Sequence, residues 1–215
     1  MNKIYKTILA TFLLLIGLSS QVSPANLLLM KGGAPPLVNL PVPTNPNEKN
    51  YLGLSGKGYF KISQIKGKAL IIKIFNIYCP SCQSTATAMT EVYQKIQNNA
   101  EFRDQIKMIG ICVGNSSNEV NFFKESFRIP FPVFPDEDFK IHKAWGEVRI
   151  PYFLGTLKDD FGNCQIVQTR SQGFTKAEVE DFLESMLESF GLNAEVSFRT
   201  RKNLDASVMD ETVTH

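Results

Sequence analysis

Two of the four cysteines of this 215-residue chain are separated by only two residues, in the sequence Cys79-Pro80-Ser81-Cys82. A pair this close in sequence closes too small a loop to serve as a structural crosslink. Disulfide exchange needs one thiolate that attacks and a second thiol that resolves the mixed disulfide. The pair therefore predicts redox chemistry in which Cys79 attacks and Cys82 resolves.

The flanking residues favour a strand before the pair and a helix after it. Residues 69–77 form a nearly unbroken apolar run with several β-branched side chains, which is typical of a buried central strand. Pro80 occupies the first helical position, where proline is favoured. Cys79 would then lie at a helix N-terminus, where unpaired N–H groups and the helix dipole lower a thiol pKa below its usual value of about 8.5. Cys82, one turn further on and more buried, would stay protonated until it resolves the mixed disulfide.

Half of a zinc site is the structural alternative for two cysteines at this spacing. Such a site needs two further ligands at metal-ligand spacing, whereas His142, His215, Cys112 and Cys164 are isolated in the sequence. We therefore predict no metal and no cofactor. Cys112 and Cys164 fall in different predicted strands, and we expect both to be buried free thiols.

The predicted elements follow the order strand, helix, strand, helix, strand hairpin, helix. The first crossover predicts parallel pairing, and the late hairpin adds antiparallel strands. This order predicts an α/β, thioredoxin-like fold with a central mixed β-sheet flanked by helices on both faces. The predicted strands are 69–77, 106–113, 152–157 and 164–169, and the predicted helices are 80–96, 119–127, 138–145 and 175–190, the last opened by a Thr175–Glu178 capping box.

The N-terminus has the pattern of an export signal. A short basic region, residues 1–6, precedes an apolar run over residues 7–18 that is shorter than the roughly 20 residues needed to span a membrane. We predict a signal peptide over residues 1–25, with cleavage favoured over retention as an uncleaved membrane anchor, and a periplasmic or otherwise extracytoplasmic location. The rest divides into an extended Pro-rich segment that excludes helix (26–50), a thioredoxin-like domain (51–191) and a C-terminal tail (192–215).

The charge balance argues against a nucleic-acid partner. The chain has 23 basic and 21 acidic residues, and loss of Lys3 and Lys6 with the signal leaves the two classes equal. A neutral protein has no general field to collect nucleic acid or anionic lipid. We expect contact with a membrane only if the signal is retained.

Four segments resemble the TlpA/ResA-like branch of the thioredoxin superfamily, which belongs with the AhpC/TSA-type redoxins. They lie at residues 67–69, 78–82, 131–136 and 150–152, and the similarity covers roughly residues 36–190. The resemblance implies a thiol–disulfide oxidoreductase that acts on protein thiols or disulfides, such as those of apocytochromes, and that has an upstream redox partner. It assigns Cys79 and Cys82 to the redox pair and Pro151 to a substrate-facing cis-proline, with Ile150 and Tyr78 beside the substrate.

Three residues depart from the pattern of that branch. Tyr78 replaces a tryptophan before the first cysteine, and we expect the aromatic ring to keep its packing role. Ile150 replaces a more common threonine, which removes a polar contact near the thiols. Lys73 lies six residues before Cys79, where thioredoxin has a buried acid; it would lower the pKa of Cys82 if it points toward that thiol, and would only extend to solvent if it points away.

Two other functions fit the same fold. A thiol peroxidase needs Pro-x-x-x-Thr/Ser-x-x-Cys, but the positions seven and three before Cys79 are Ile72 and Asn76, and those before Cys82 are Phe75 and Cys79. A copper-handling protein of this fold needs a suitably placed histidine, for which His142 is the candidate. Both alternatives therefore rank below disulfide exchange.

Overall fold

The computed structural model describes residues 29–171 and 176–190. Its main sheet has five strands: β3 (Ala69–Phe75), β4 (Ile106–Val113), β5 (Val133–Asp136), β6 (Tyr152–Lys158) and β7 (Cys164–Ser171). They lie in the order β5-β4-β3-β6-β7, in which β3, β4 and β5 are parallel and β6 and β7 are antiparallel to their neighbours. This confirms the predicted mixed sheet. The elements are β1 (Asn39–Pro41), α1 (Pro46–Leu52), β2 (Tyr59–Lys61), β3 (Ala69–Phe75), α2 (Pro80–Ser84), α3 (Ala86–Asn98), β4 (Ile106–Val113), α4 (Ser117–Ser126), β5 (Val133–Asp136), α5 (Lys140–Ala144), β6 (Tyr152–Lys158), β7 (Cys164–Ser171) and α6 (Lys176–Ser189).

Strands β3 and β4 are buried along their whole length, because the sheet is covered on both faces. On one face, side chains of β3 such as Phe75 pack with α3, α4 and α6. On the other face, side chains such as Ile72 pack with Leu40 of β1 and with Trp145 after α5. The predicted arrangement of helices on both faces of the sheet is therefore present.

The Pro-rich segment at residues 26–50 differs from the prediction of an extended, helix-free chain. Helix α1 begins at Pro46, and the Asn45 side chain accepts a hydrogen bond from the Asn47 amide at 2.9 Å. Proline excludes the interior of a helix but is favoured in its first turn, which is why a proline-rich composition misled the prediction. The segment also packs closely, since Leu29 and Leu40 are buried and the Gly32 amide donates to the carbonyl oxygen of Ile166.

Several predictions concern residues outside the described part of the chain. These are the signal peptide at 1–25, the tail at 192–215 and the Thr175 end of the capping box. Among residues 29–171 and 176–190, none of the helices combines the length and the apolar character that a membrane crossing requires.

Candidate active site

Cys79 lies at the N-terminus of α2, directly after the loop that leaves β3. It occupies the N-cap position and Pro80 the first turn, as the sequence predicted. The carbonyl oxygen of Cys79 accepts hydrogen bonds from the amides of Cys82 and Gln83 at 2.9 and 3.0 Å. This first turn brings the Cys79 and Cys82 side chains within interaction distance of one another, and neither forms a disulfide here.

Asn76 holds the loop between β3 and Cys79 in place. Its Nδ2 donates to the carbonyl oxygen of Val113 at the end of β4 at 2.7 Å, and its Oδ1 accepts from the Tyr78 amide at 2.8 Å. The loop is therefore tied to the neighbouring strand on one side and to itself on the other. No local pattern in the sequence indicates this role of Asn76.

The Cys79 thiol is partly exposed and is surrounded by hydrogen-bond donors. Its Sγ lies 3.1 Å from the Ser81 hydroxyl oxygen. Partial burial raises the pKa of Cys79, but hydrogen bonds from the Ser81 hydroxyl, the Cys82 thiol and the backbone amides of Cys82 and Ser81 outweigh it, so the pKa is lowered overall. Because α2 has only five residues, these local donors are a better account of the lowered pKa than a long helix dipole.

Cys82 has the opposite environment. Its side chain is fully buried, and burial raises the pKa of Cys82 to about 12. A hydrogen bond from the backbone amide of Asn76 and the charge of Lys73 lower this pKa but do not outweigh burial. The two thiols of the pair thus differ sharply in acidity and in access to solvent.

Lys73 is buried within the sheet and points toward Cys82, which resolves the two orientations that the sequence left open. Its Nζ donates to the carbonyl oxygen of Cys82 at 3.1 Å and lies 4.8 Å from the centre of the Phe75 ring. Burial lowers the pKa of Lys73 to about 8, and the charges of Cys82, Cys112 and Cys79 raise it against that trend. The amine is therefore close to its own pKa at physiological pH.

Cys112 is a third thiol behind the pair, on β4. It is fully buried, its Sγ donates to Asn115 Oδ1 at 3.1 Å, and burial raises the pKa of Cys112 to about 12. Asn115 Oδ1 also accepts from the Ile77 amide at 3.1 Å, so that it ties this end of β4 to the loop before Cys79. Cys164 lies on β7, packs against the opposite core, is half-buried and is not bonded to Cys112.

The Ile150–Pro151 peptide bond is cis. Pro151 immediately precedes β6, whose first residue, Tyr152, pairs with Ile74 near the end of β3. This register brings Pro151 to the same end of the sheet as the loop that carries Cys79. Ile150 is half-buried and packs against both cores.

Tyr78 does not keep the packing role that was expected of it. Its side chain is 70% exposed, and its hydroxyl donates to Glu119 Oε1 at 2.6 Å. Hydrogen bonds from Ser116 and Tyr78 lower the pKa of Glu119 to about 2. The hydrogen bond from Tyr78 to the Glu119 carboxylate on α4 keeps the tyrosine ring at the surface rather than in the core.

The sequence of the chain matches a known protein family. The sequence profile of the AhpC/TSA family matches residues 50–161, which is more than half of the chain. The chain belongs to the AhpC/TSA family. The match confirms the predicted AhpC/TSA-type assignment.

Two curated proteins and one solved structure illustrate the similarity. A thiol-disulfide oxidoreductase ResA from Halalkalibacterium halodurans is 23% identical over 125 residues, which cover 58% of this chain and 65% of that protein. A chloroplastic peroxiredoxin Q from Suaeda salsa is 28% identical over 86 residues, which cover 40% of this chain and 37% of that protein. A crystal structure from Chlorobium tepidum, of a candidate thiol:disulfide interchange protein DsbE, has a TM-score of 0.56 at 17% identity, with 75% of this chain and 99% of that chain covered, and shows the shared fold.

The remaining candidate residue of this AhpC/TSA protein, His142, makes a structural contact, and so does the nearby Trp145. His142 Nε2 lies 3.0 Å from the carbonyl oxygen of Val148, and buried Trp145 donates from Nε1 to the carbonyl oxygen of Pro36 at 3.1 Å. Within residues 29–171 and 176–190, no group of three histidine, cysteine or acidic side chains is placed to hold a metal ion.

The Ser81 hydroxyl provides a direct test of how the Cys79 pKa is set. Replacing Ser81 by alanine removes one hydrogen bond to Sγ, so we expect the pKa of Cys79 to rise and its alkylation rate at pH 7 to fall by up to about tenfold. The rate of alkylation by iodoacetamide, followed against pH in a Cys82→Ser background, measures this pKa. Ser84→Ala is the matched control, since the Ser84 hydroxyl donates to a backbone carbonyl instead. An unchanged titration midpoint in Ser81→Ala would show that the hydroxyl has no part in setting the pKa.

Proposed function

We propose that this protein is an exported thiol–disulfide oxidoreductase that exchanges disulfides with partner proteins through Cys79 and Cys82. The observation that carries the proposal is the unequal pair: an accessible Cys79 with a lowered pKa, one turn before a buried Cys82 whose pKa is raised. Disulfide exchange needs a thiolate that can attack at neutral pH and a second thiol that is held back until a mixed disulfide has formed. The relatives named thiol-disulfide oxidoreductase support an oxidoreductase role.

In the reducing direction, the Cys79 thiolate attacks one sulfur of a partner disulfide. The partner S–S bond breaks, a Cys79–partner disulfide forms, and the other partner sulfur leaves as a thiolate that takes up a proton. Cys82 then loses its proton and attacks Cys79 Sγ, which forms the Cys79–Cys82 disulfide and releases the second partner sulfur. The partner gains the two electrons that the dithiol loses, and a dithiol donor restores the reduced pair.

Lys73 is suited to assist the second of these steps. A buried thiol with a pKa of about 12 is rarely ionised at neutral pH, and a nearby amine with a pKa of about 8 can take up its proton. The Nζ–carbonyl hydrogen bond fixes the amine beside Cys82 without occupying its sulfur. We assign Lys73 to tuning and deprotonating Cys82.

Ile150, Pro151 and Tyr78 form the proposed contact surface for the partner around Cys79. The β6–β3 register brings residues 150 and 151 to one side of the dithiol, and Tyr78 adjoins Cys79 in the chain. The isoleucine makes this surface more apolar than threonine would, which favours partners with apolar residues beside their cysteines.

Export belongs to the same proposal. The basic and apolar segments of residues 1–25 support delivery to an extracytoplasmic compartment, where protein disulfides form and persist. Exported proteins, including apocytochromes, are the proposed partners, and an upstream redox protein regenerates the pair.

Insulin reduction compared with peroxide consumption tests this function. With dithiothreitol as donor, we expect the wild type to accelerate insulin reduction and Cys79→Ser to show the rate of buffer alone. Peroxide consumption should stay at background, since the position three before Cys79 is Asn76 and no Thr or Ser hydroxyl is supplied there. Rapid peroxide turnover with no insulin reduction would replace this proposal by a thiol peroxidase.

A further inference from the structure

An apolar groove of about 380 Å³ lies between the loop residues that precede Cys79, Ile77 and Tyr78, and helix α4. Its volume lies at the lower end of the range for ligand-binding clefts, about 300–1,000 Å³. Besides the two loop residues, its lining includes Glu119, Phe122, Phe123 and Phe127.

The groove has a buried floor and exposed aromatic walls. Phe123 is buried and stacks against Phe127 with ring centres 4.5 Å apart, which fixes the floor to the core. Phe122 is 70% exposed and Phe127 is 38% exposed. Exposed aromatic side chains that lie together, rather than singly, mark surfaces that bind a partner.

The Tyr78 wall is held rigidly in place. Its amide donates to Asn76 Oδ1 and its hydroxyl donates to Glu119 Oε1, so both ends of the residue are fixed. Glu119 Oε2 accepts from the amide and the hydroxyl of Ser116 at 2.7 and 2.6 Å. The carboxylate is therefore already occupied by the protein and serves to position Tyr78, while the ring remains free to contact a ligand. A wall that is ordered before binding lowers the entropy loss on binding.

We propose that this groove binds an aromatic or large aliphatic side chain that lies close in sequence to the cysteine attacked by Cys79. The inference rests on the proposed function and deepens it, because it specifies the kind of polypeptide that the site prefers. Tyr78 connects the groove to the thiol along the chain, since it lines the groove and directly precedes Cys79. In this proposal, a chain whose cysteine is joined to Cys79 brings the residues that flank that cysteine close to Tyr78 and so to the groove.

The occupant is a polypeptide segment, which the tethering of peptides to Cys79 can test. Peptides with one cysteine and one phenylalanine, two to four residues before or after it, are joined to Cys79 in a Cys82→Ser variant. Matched peptides have serine in place of phenylalanine. The fraction that stays attached at increasing 2-mercaptoethanol concentration measures how much the flanking side chain stabilises the mixed disulfide.

We expect at least one phenylalanine peptide to resist about ten times more 2-mercaptoethanol than its serine counterpart, which corresponds to partial burial of the ring. Adding Phe122→Ser to the Cys82→Ser variant should reduce this ratio of 2-mercaptoethanol concentrations toward one. Phe161→Ser is the matched control, because Phe161 is 90% exposed in the turn between β6 and β7, at the end of the sheet away from Cys79. That control should keep the full ratio. Thermal melting checks that both variants are folded.

Two results would overturn the inference. Equal retention of phenylalanine and serine peptides would show that the groove does not select flanking residues. Dimerisation of the free protein that is lost in Phe122→Ser would show that a second copy covers the groove instead. Insulin reduction by the wild type is measured separately, so that preferred tethering without insulin reduction would contradict the proposed function and not the groove.

Discussion

Replacing Cys82 by serine should stop turnover and leave partner proteins covalently attached to Cys79. The variant keeps the partly exposed Cys79 and its bond to Ser81, so the first attack still occurs. It lacks the sulfur that releases the mixed disulfide. We expect insulin reduction to fall to the rate of buffer alone, and non-reducing electrophoresis with mass spectrometry to show one partner per protein chain.

Two variants control for non-specific attachment. Cys79→Ser should yield neither turnover nor adducts, because the remaining thiol of the pair is fully buried. Cys164→Ser should behave as the wild type, since Cys164 pairs with Lys158 at the end of the sheet away from Cys79. Adducts that persist in the Cys79→Ser variant, or wild-type turnover in Cys82→Ser, would contradict the assignment of attacking and resolving thiols. If both controls behave as expected, the partners that Cys82→Ser traps from an extracytoplasmic extract identify the natural substrates.

The elements that carry the dithiol could be predicted because their signals are local. Strand β4 matches the predicted range 106–113, and β3 ends two residues earlier than predicted. Both are continuous apolar runs, which a strand covered on both faces requires. The position of Cys79 at a helix start follows from the preceding strand and from Pro80, and this prediction also agrees with the structure.

Short elements escaped prediction because their stability comes from contacts distant in sequence. Strands β1 and β2 have three residues each, too few to show a period, and exist by pairing with one another. Strand β5 contains Pro135, which argues against a central strand, but β5 lies at the edge of the sheet, where proline is tolerated.

The polar residues that shape the site were also beyond sequence reasoning. Asn76 contacts a strand 37 residues further along the chain, and the Asn115 oxygen reaches an amide 38 residues before it. Nothing in the local pattern distinguishes these asparagines from surface residues. The Tyr78–Glu119 bond spans 41 residues in the same way, and the family pattern suggested packing for Tyr78 where the structure shows exposure.

Replacing Lys73 by methionine should slow the resolving step about a hundredfold at pH 7, within the range of general base catalysis. Methionine fills the same space without an amine, so Cys82 must lose its proton to water. We expect the mixed disulfide to accumulate during turnover, and stopped-flow or quenched-flow measurements to separate its formation from its resolution. Attack by Cys79 should change far less, because its pKa is set by its own hydrogen bonds.

The pH dependence distinguishes a proton acceptor from a structural lysine. In the wild type, the resolving rate should rise with pH and level off above about pH 8, where Lys73 is neutral. In Lys73→Met it should continue to rise toward the much higher pKa of Cys82. Lys107→Met is the matched control, since Lys107 is also buried, donates to a backbone carbonyl and lies over a Tyr51 ring, at the opposite end of β4. If the resolving rate of Lys73→Met also levels off above about pH 8, Lys73 is not the proton acceptor of the proposed mechanism.

The same substitution should make the protein more stable at neutral pH, which separates function from structure. Lys73 has a pKa of 10.5 when unfolded and about 8 when folded, so the unfolded state binds its proton more readily. Its contribution therefore opposes folding by up to about 3 kcal/mol below pH 8, and this penalty disappears as pH rises from 8 to 10.5. In urea unfolding, we expect the free energy of unfolding of Lys73→Met to exceed that of the wild type at pH 7. This difference should become smaller by pH 10. A variant that loses both activity and stability at pH 7 would show that Lys73 only supports the core. We expect Lys73→Met to show slower resolution together with higher stability, because the buried amine opposes folding but assists the reaction of Cys82.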